Sequence, residues 1–136
     1  MTGGASDEKG RDGLGELIGL EVLDADDGSV RARVPVTDRI RQPYGVVHGG
    51  VYPVIAESIC SAATARAVEA DGLAAFGQSN SATFLRPVSE GHVNATAIAR
   101  HRGRTTWIWD VELTDDEGRL CAMVRMTVAV RPNVNP

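Results

Sequence analysis

Residues 48–72 read HGGVYPVIAESICSAATARAVEADG, and this stretch decides the fold. Alanine is abundant, no glycine interrupts residues 51–71, and Gly72 is a typical residue to end a helix. Pro53 is tolerated because the amides in the first turn of a helix have no intrahelical acceptor. The pattern therefore predicts one long helix from Gly50 to Asp71. Its apolar residues recur at helical spacing, at Val51, Ile55, Ile59 and Ala62.

Alternating apolar and polar residues predict β-strands on both sides of this helix. Two short segments precede it, at residues 20–24 and 30–36. Glycine-containing polar turns separate the four longer segments that follow, at residues 75–86, 90–100, 104–114 and 119–131. The short connections predict an antiparallel meander. A single helix with few charges needs a sheet wrapped around it, so the sequence predicts an α+β fold.

The composition is that of one soluble globular domain. The 136 residues are 43% hydrophobic and 24% charged, with a net charge of −4. These ordinary values give no reason to expect nucleic acid or a membrane surface as a partner. We expect the polar residues 1–15 to form a flexible tail and residues 16–136 to form a single domain. The apolar stretch 46–65 carries a histidine and a glutamate, so it predicts a buried helix and not a membrane span.

The cysteines and histidines predict neither disulfides nor a metal site. Cys60 and Cys121 are far apart in sequence and are expected to be two buried thiols in a reducing, cytoplasmic compartment. The three histidines, His48, His92 and His101, lack the spacing of metal ligands. We therefore expect no metal.

The order of elements and several motifs resemble the hotdog-fold thioesterases. HGG opens the helix, and Glu57 follows His48 by nine residues. Three segments of the strand-rich half resemble the Arthrobacter-type 4-hydroxybenzoyl-CoA thioesterases: GQSNSATFLRPVSEGHV at 77–93, RTTWIWDVELTDDEGRLCAM at 104–123 and TVAVRP at 127–132. The resemblance covers about residues 20–132. It implies a sheet wrapped around the helix, dimers whose sheets join, a homotetramer built from two dimers, and hydrolysis of acyl-CoA thioesters without any cofactor.

Gly49 and Glu57 are the main catalytic candidates. Thioester hydrolysis needs hydrogen-bond donors toward the developing oxyanion, and a nucleophile or base that acts at the carbonyl carbon. A helix N-terminus supplies free amides, and Gly49 has no side chain to keep a ligand away, so its amide is the candidate donor. Glu57 is the only acidic residue between Val46 and Val68, and a carboxylate in an apolar helix is costly unless it is paired or functional. The resemblance makes Glu57 a nucleophile or a general base, and the sequence leaves both roles open.

The spacing of these two residues predicts a dimer. Gly49 and Glu57 are eight residues apart, which is about 12 Å along a helix axis. Both groups must reach one carbonyl to within roughly 3–3.5 Å. A single chain cannot arrange this, whereas a second, antiparallel copy of the helix can. We therefore predict an obligate two-fold homodimer with two sites.

The resemblance assigns supporting roles to three more residues. Gln42 would lie near the thioester, where its amide can donate to the carbonyl or position water. His48 would order the loop at the helix start. Ser61, one turn after Glu57, could hydrogen-bond the carboxylate, although the family has threonine there. A solvated loop residue, a helix cap and simple small-residue packing are the structural alternatives for Gln42, His48 and Ser61.

The expected CoA contacts are basic. Arg86 in FLRP matches a family residue near the nucleotide. The turn Arg102-Gly103-Arg104-Thr105 is basic and is expected to offer free amides to phosphate, with a solvated hairpin tip as the alternative. The chain ends without the extra arginines of the resembled enzyme, and Tyr44 stands where the family has tryptophan. The phosphate contacts and the acyl pocket are therefore expected to differ in detail.

The expected activity is hydrolysis of an aromatic acyl-CoA, with 4-hydroxybenzoyl-CoA as the first substrate to test. The alternatives are 1,4-dihydroxy-2-naphthoyl-CoA, broad housekeeping activity on phenylacetyl-type esters, and a non-catalytic acyl-CoA-binding domain. A hotdog dehydratase is disfavoured by resemblance, because those enzymes usually rely on a catalytic histidine. Here His48 precedes the helix and the acid lies within it.

Overall fold

The computed structural model describes residues 12–134. Residues 1–11 of the predicted tail lie outside the described residues, and residues 13–15 begin a short helix. The long helix was predicted correctly. It is followed by a 3-10 turn, Glu69–Asp71, and ends at Gly72 in the left-handed conformation. The elements are α1 Gly13–Ile18, β1 Glu21–Asp26, β2 Ser29–Pro35, α2 Val51–Val68, β3 Leu73–Phe84, β4 His92–Arg102, β5 Thr106–Thr114 and β6 Leu120–Pro132.

The six strands form one antiparallel sheet in the order β1-β2-β4-β5-β6-β3. Strands β4, β5 and β6 form the predicted meander, but the prediction that β3 continues into it is wrong. β3 pairs with β6 along its whole length, from Leu73 opposite Pro132 to Phe84 opposite Ala122. The segment after β3 does not turn back as a hairpin, because the Val88 carbonyl is held by the Val47 amide at 2.7 Å. This segment therefore passes β6 and β5 before β4 begins.

The buried core lies between α2 and the sheet, and it confirms the predicted α+β architecture. Trp109 on β5 is fully buried. Its indole Nε1–H donates to Thr64 Oγ1 at 3.0 Å, and the Thr64 hydroxyl donates to the Cys60 carbonyl at 2.7 Å. Every polar atom of this contact between α2 and β5 thereby has a partner. Cys60 and Cys121 are both buried free thiols, as predicted.

Strand β3 forms one edge of the sheet and carries no charged residue along its twelve positions. Exposed strand edges are usually protected by charged side chains or proline, since an open edge can pair with another chain. Two aromatic side chains on this strand, Phe76 and Phe84, are each 57% exposed. The edge is therefore suited to contact with another protein surface. Within residues 12–134, no helix is long and apolar enough to cross a membrane.

Candidate active site

The loop before α2 is fastened so that one amide remains free. The His48 amide donates to the Ile40 carbonyl at 2.7 Å, and the Val51 amide donates to the His48 carbonyl at 3.0 Å. The Gly50 amide donates to His48 Nδ1 at 3.2 Å, so His48 caps the helix start. Among residues 12–134 the Gly49 amide has no acceptor. A free donor therefore stands at the positive end of α2.

Gly49 lies under an aromatic ring that leaves no room for a side chain. A Cβ added at this position would lie 2.7 Å from Cε2 of Phe84. The Phe84 ring also packs against Tyr52, with 5.7 Å between ring centroids. Tyr52 is buried, and this burial raises its pKa to about 12, so its phenol stays neutral at physiological pH. The free amide thus has an apolar, aromatic border.

Glu57 lies on the exposed side of α2. Within the described part of the chain its carboxylate has no hydrogen bond or ion pair, and it lies against Gly77 of β3. The possible bond from Ser61 to this carboxylate is not formed, because Ser61 Oγ is buried without a partner. The buried setting expected for Glu57 from its apolar neighbours is absent in the single chain.

Gln42 sits in a tight turn of the loop that precedes α2. Its backbone amide donates to the Val46 carbonyl at 2.8 Å, and its side-chain Oε1 accepts from the Tyr44 amide at 3.1 Å. Its side-chain NH₂ has no acceptor among the described residues, so a second donor is available in this loop. The loop is held to the rest of the fold by the bond from the Val47 amide to Val88.

The Gly49 amide lies two residues before α2, and Glu57 is the seventh residue of the helix. At the rise of a helix their eight-residue spacing corresponds to about 12 Å along the axis. The two cysteines offer no alternative nucleophile. Burial raises the pKa of the Cys60 thiol and that of the Cys121 thiol, which keeps both protonated. The exposed carboxylate of Glu57 is therefore the reactive acid that α2 offers.

The predicted CoA-binding residues lie at opposite ends of the sheet. The Arg86 amide donates to the Cys121 carbonyl, whereas the Thr105 carbonyl accepts from the Val130 amide. These two points are separated by nine residues of β6, which is about 30 Å in a strand. One chain cannot bring Arg86 and the turn at 102–105 to the same phosphate.

The turn itself is partly engaged. Arg102 forms an ion pair with Asp27, and its guanidinium lies 5.9 Å from the Trp107 ring. The Gly103 amide, expected to be free for phosphate, donates to the Thr106 carbonyl at 2.9 Å. Arg104 is exposed and has no partner among residues 12–134. It is thus the available cation of the predicted turn.

A mostly apolar cavity of about 200 Å³ lies between α1, β1 and α2. Two of its residues, Ser58 and Ala62, also line the shallower groove that contains Glu57. Sequence reasoning missed this cavity because it assigned the start of α1 to the tail. Asp12, whose carboxylate caps the Gly15 amide, and Gly19 in the left-handed conformation were the available signals for this short helix. Other apolar lining residues are Leu20, Val22, Val30 and Ile59.

The sequence profile of the thioesterase superfamily matches residues 44–122, which include the α2 N-terminus and Glu57. The chain belongs to this superfamily. This thioesterase is 37% identical over 119 residues to a 1,4-dihydroxy-2-naphthoyl-CoA hydrolase of Listeria monocytogenes, covering 88% of this chain and 96% of the relative. It superimposes on the crystal structure of a thioesterase variant from Pseudomonas aeruginosa with a TM-score of 0.85 and 37% identity, covering 93% and 90% of the two chains. The shared fold and family make the chain a thioester hydrolase.

A Staphylococcus aureus thioesterase is also similar. The crystal structure of its variant with a glutamate replaced by alanine superimposes on this thioesterase with a TM-score of 0.84 and 33% identity, covering 88% of this chain and 98% of that one. The solved variants replace a glutamine and, fifteen positions later, a glutamate by alanine. Gln42 and Glu57 have the same fifteen-residue separation here.

Proposed function

We propose that this hotdog-fold acyl-CoA thioesterase hydrolyses an aromatic acyl-CoA at two sites that lie between two copies of the chain. In each site the Gly49 amide of one copy and the Glu57 carboxylate of the other act on the same thioester. The observation that carries the proposal is the Gly49 amide just before α2 and the exposed Glu57 carboxylate eight residues further on, neither of which has a hydrogen-bond partner among residues 12–134.

The chemistry follows from these two groups. The Gly49 N–H donates to the thioester carbonyl oxygen and stabilises the negative charge that develops there. Gln42 supplies a second donor, or holds water. Glu57 either attacks the carbonyl carbon and displaces CoA thiolate, leaving an anhydride that water hydrolyses, or removes a proton from water that attacks directly. Both routes consume one water and release the free acid and CoA.

The uncharged edge of β3 is the surface that supports the dimer. Joining β3 to β3 of a second copy around a two-fold axis runs the two α2 helices antiparallel, because each helix is fixed to its own strand. This brings Glu57 of one copy toward Gly49 of the other. It also brings Arg86 of one copy to the end of the sheet where the other copy carries Arg104. We propose that pairing of such dimers gives a homotetramer.

The cavity beside Glu57 supports an aromatic acyl group. Its volume of about 200 Å³ exceeds the roughly 150 Å³ of an engineered apolar cavity that binds benzene. A 4-hydroxybenzoyl ring fits this volume, and the rim residues Asp12 and Arg66 offer polar partners for a ring hydroxyl. The two-ring 1,4-dihydroxy-2-naphthoyl group is a comparable candidate, because a 37% identical relative is named for its hydrolysis.

Measurement of CoA thiol release tests the proposal. The panel contains 4-hydroxybenzoyl-, 1,4-dihydroxy-2-naphthoyl-, phenylacetyl- and straight-chain acyl-CoA. We expect fastest hydrolysis of an aryl ester, lost in Glu57→Gln, which keeps the side-chain shape. Glu69→Gln, which changes an exposed acid beyond the end of α2, should keep wild-type rates. A dimer that binds CoA and hydrolyses no ester would instead identify a non-catalytic acyl-CoA-binding domain.

A further inference from the structure

Gly77 on β3 touches the Glu57 carboxylate. A Cβ added at Gly77 would lie 3.1 Å from Glu57 Oε2 and 3.2 Å from its Cδ. The atom nearest to such a Cβ is Cε of Met126, at 2.8 Å, so the end of the Met126 side chain would have to shift as well as the carboxylate, which would move by a few tenths of an ångström. Gly77 lacks the positive φ that accounts for glycine at six other described positions. The glycine is therefore required here for space and not for backbone conformation.

A β-bulge turns Gly77 toward α2. Gly77 pairs with Val128 and Ser79 pairs with Thr127, so Gln78 has no partner on β6. In a regular strand Gly77 and Asn80 would face opposite sides of the sheet, because they are three residues apart. The extra residue reverses the alternation, and both residues contact α2. Bulges are frequent beside active sites, where they redirect side chains.

Asn80 fixes the turn of α2 that leads to Glu57. Its Nδ2 donates to the Pro53 carbonyl at 2.9 Å. In the regular i to i−4 pattern of a helix, this same carbonyl accepts from the Glu57 amide. Asn80, on one side of the bulge, therefore holds the backbone of the helical turn that carries Glu57. Gly77, on the other side of the bulge, borders the Glu57 carboxylate.

We propose that Gly77 and the bulge at Gln78 form a seat that positions the Glu57 carboxylate for attack. Gly77 is a positioning residue in this scheme, and the inference rests on the proposed role of Glu57. The carboxylate has no hydrogen bond or ion pair within residues 12–134, so in the single chain its packing against Gly77 defines where it lies. Reacting groups must be held to within about 0.5 Å of the productive geometry, and a methyl group at Gly77 would move the carboxylate by a few tenths of an ångström, which takes up most of that tolerance.

The test is Gly77→Ala, with kcat and KM measured on the best aryl-CoA. The expected shift of a few tenths of an ångström is about a third of the 1 Å displacement that costs on the order of 10²-fold in rate, so we expect kcat to fall about three- to fivefold, with KM changed less than about twofold. Ser81→Thr is the matched control. It also adds one methyl group to β3, but on the face that borders Thr96 and Arg100, and it should keep wild-type kcat.

A double-variant cycle separates positioning from general damage. Glu57→Asp shortens the side chain by one methylene and withdraws the carboxylate from Gly77. Adding Gly77→Ala to Glu57→Asp should therefore lower kcat by less than about 1.5-fold, which is clearly less than its effect in the wild type. The seat would be overturned if Gly77→Ala lowered kcat by the same factor in the wild type and in Glu57→Asp. If Gly77→Ala does not fold, Asn80→Ala adds no bulk, and we expect it to lower kcat through the loosened turn; unchanged kcat would count against the seat.

The two proposals fail in different ways. If the wild type is active and Gly77→Ala keeps the wild-type kcat, the seat is overturned and the proposed function is unaffected. An inactive wild type overturns the proposed function, and the seat is then tested by the carboxyl ¹³C chemical shift of Glu57. This shift should change in Gly77→Ala and stay constant in Ser81→Thr. An unchanged shift in Gly77→Ala would overturn the seat without any activity measurement.

Discussion

Two inactive variants should restore each other's activity when they share a dimer. One chain carries Glu57→Ala and the other carries Gly49→Ala, whose methyl group would lie 2.7 Å from the Phe84 ring and displace the amide. Gly49 lies two residues before α2 and Glu57 is its seventh residue, so at helical rise the two stand about 12 Å apart and a site that uses both must draw them from different chains. In a mixed dimer one site combines an intact Gly49 with an intact Glu57, and the other site contains both substitutions.

The expected recovery can be calculated. When equal amounts of the two variants reassociate at random, about half of the dimers are mixed, and each mixed dimer has one intact site of two. The mixture should therefore regain about a quarter of the wild-type activity. Each parent alone should retain about 1% or less, since an ångström of misplacement or loss of the acid costs on the order of 10²-fold or more.

The assay unfolds the two variants together in denaturant, refolds them, and follows CoA thiol release. Native mass spectrometry of the same sample counts the mixed dimers. Variants that are refolded separately and then combined without exchange provide the control, and they should stay inactive. Mixed dimers that form in the expected amount but show no activity would refute the shared site, because Gly49 and Glu57 would then act within one chain.

Three further outcomes are expected. Thr64→Val leaves the buried Trp109 indole N–H without an acceptor, so chemical denaturation should show an unfolding free energy lower by about 1–3 kcal/mol, and Thr64→Ser should lose less. In Tyr44→Phe, where Tyr52 is the sole tyrosine, phenolate absorbance should titrate near 12 when folded and near 10 when denatured. The unfolded state then loses its proton first, so stability should fall between about pH 10 and 12; a folded midpoint near 10 contradicts this. Ala62→Phe fills the cavity beside Glu57 and should slow aryl-CoA hydrolysis at least tenfold relative to acetyl-CoA; equal slowing of both would place the acyl group elsewhere.

The sequence predicted those parts of the fold that depend on local periodicity. The alanine-rich helix and its end at Gly72 follow from helix propensity and from the backbone freedom of glycine, and the structure confirms both. The alternation of apolar residues located all six strands. It could not identify the partner of β3, because alternation specifies which face is buried and not which strand lies alongside. The pairing of β3 with β6 depends on long-range contacts that no local pattern encodes.

The candidate site was predicted unevenly for a similar reason. Residue type and spacing singled out Gly49 and Glu57, and the resemblance implied the catalytic role of Glu57. The structure adds that, among residues 12–134, the Gly49 amide has no acceptor and the Glu57 carboxylate has no partner. The contact between Gly77 and Glu57 could not be predicted, because it depends on a one-residue bulge in β3. A glycine within a strand is a recognised signal for a bulge or a close approach, but the sequence alone does not say what approaches.

Two exposed features of the single chain adjoin each other, and this gives a physical reason for linking assembly to activity. The β3 edge is long and uncharged, which invites pairing with another strand. Glu57, which has no partner among residues 12–134, lies against Gly77 on that same strand. A carboxylate in water is well solvated and is a weak nucleophile, whereas covering it removes water and strengthens its interaction with a neighbouring dipole. A second copy that joins β3 would therefore protect the edge and desolvate the acid in one step. In the proposed dimer the chain would thereby avoid the cost of a buried, unpaired charge until the partner's Gly49 amide is also in place.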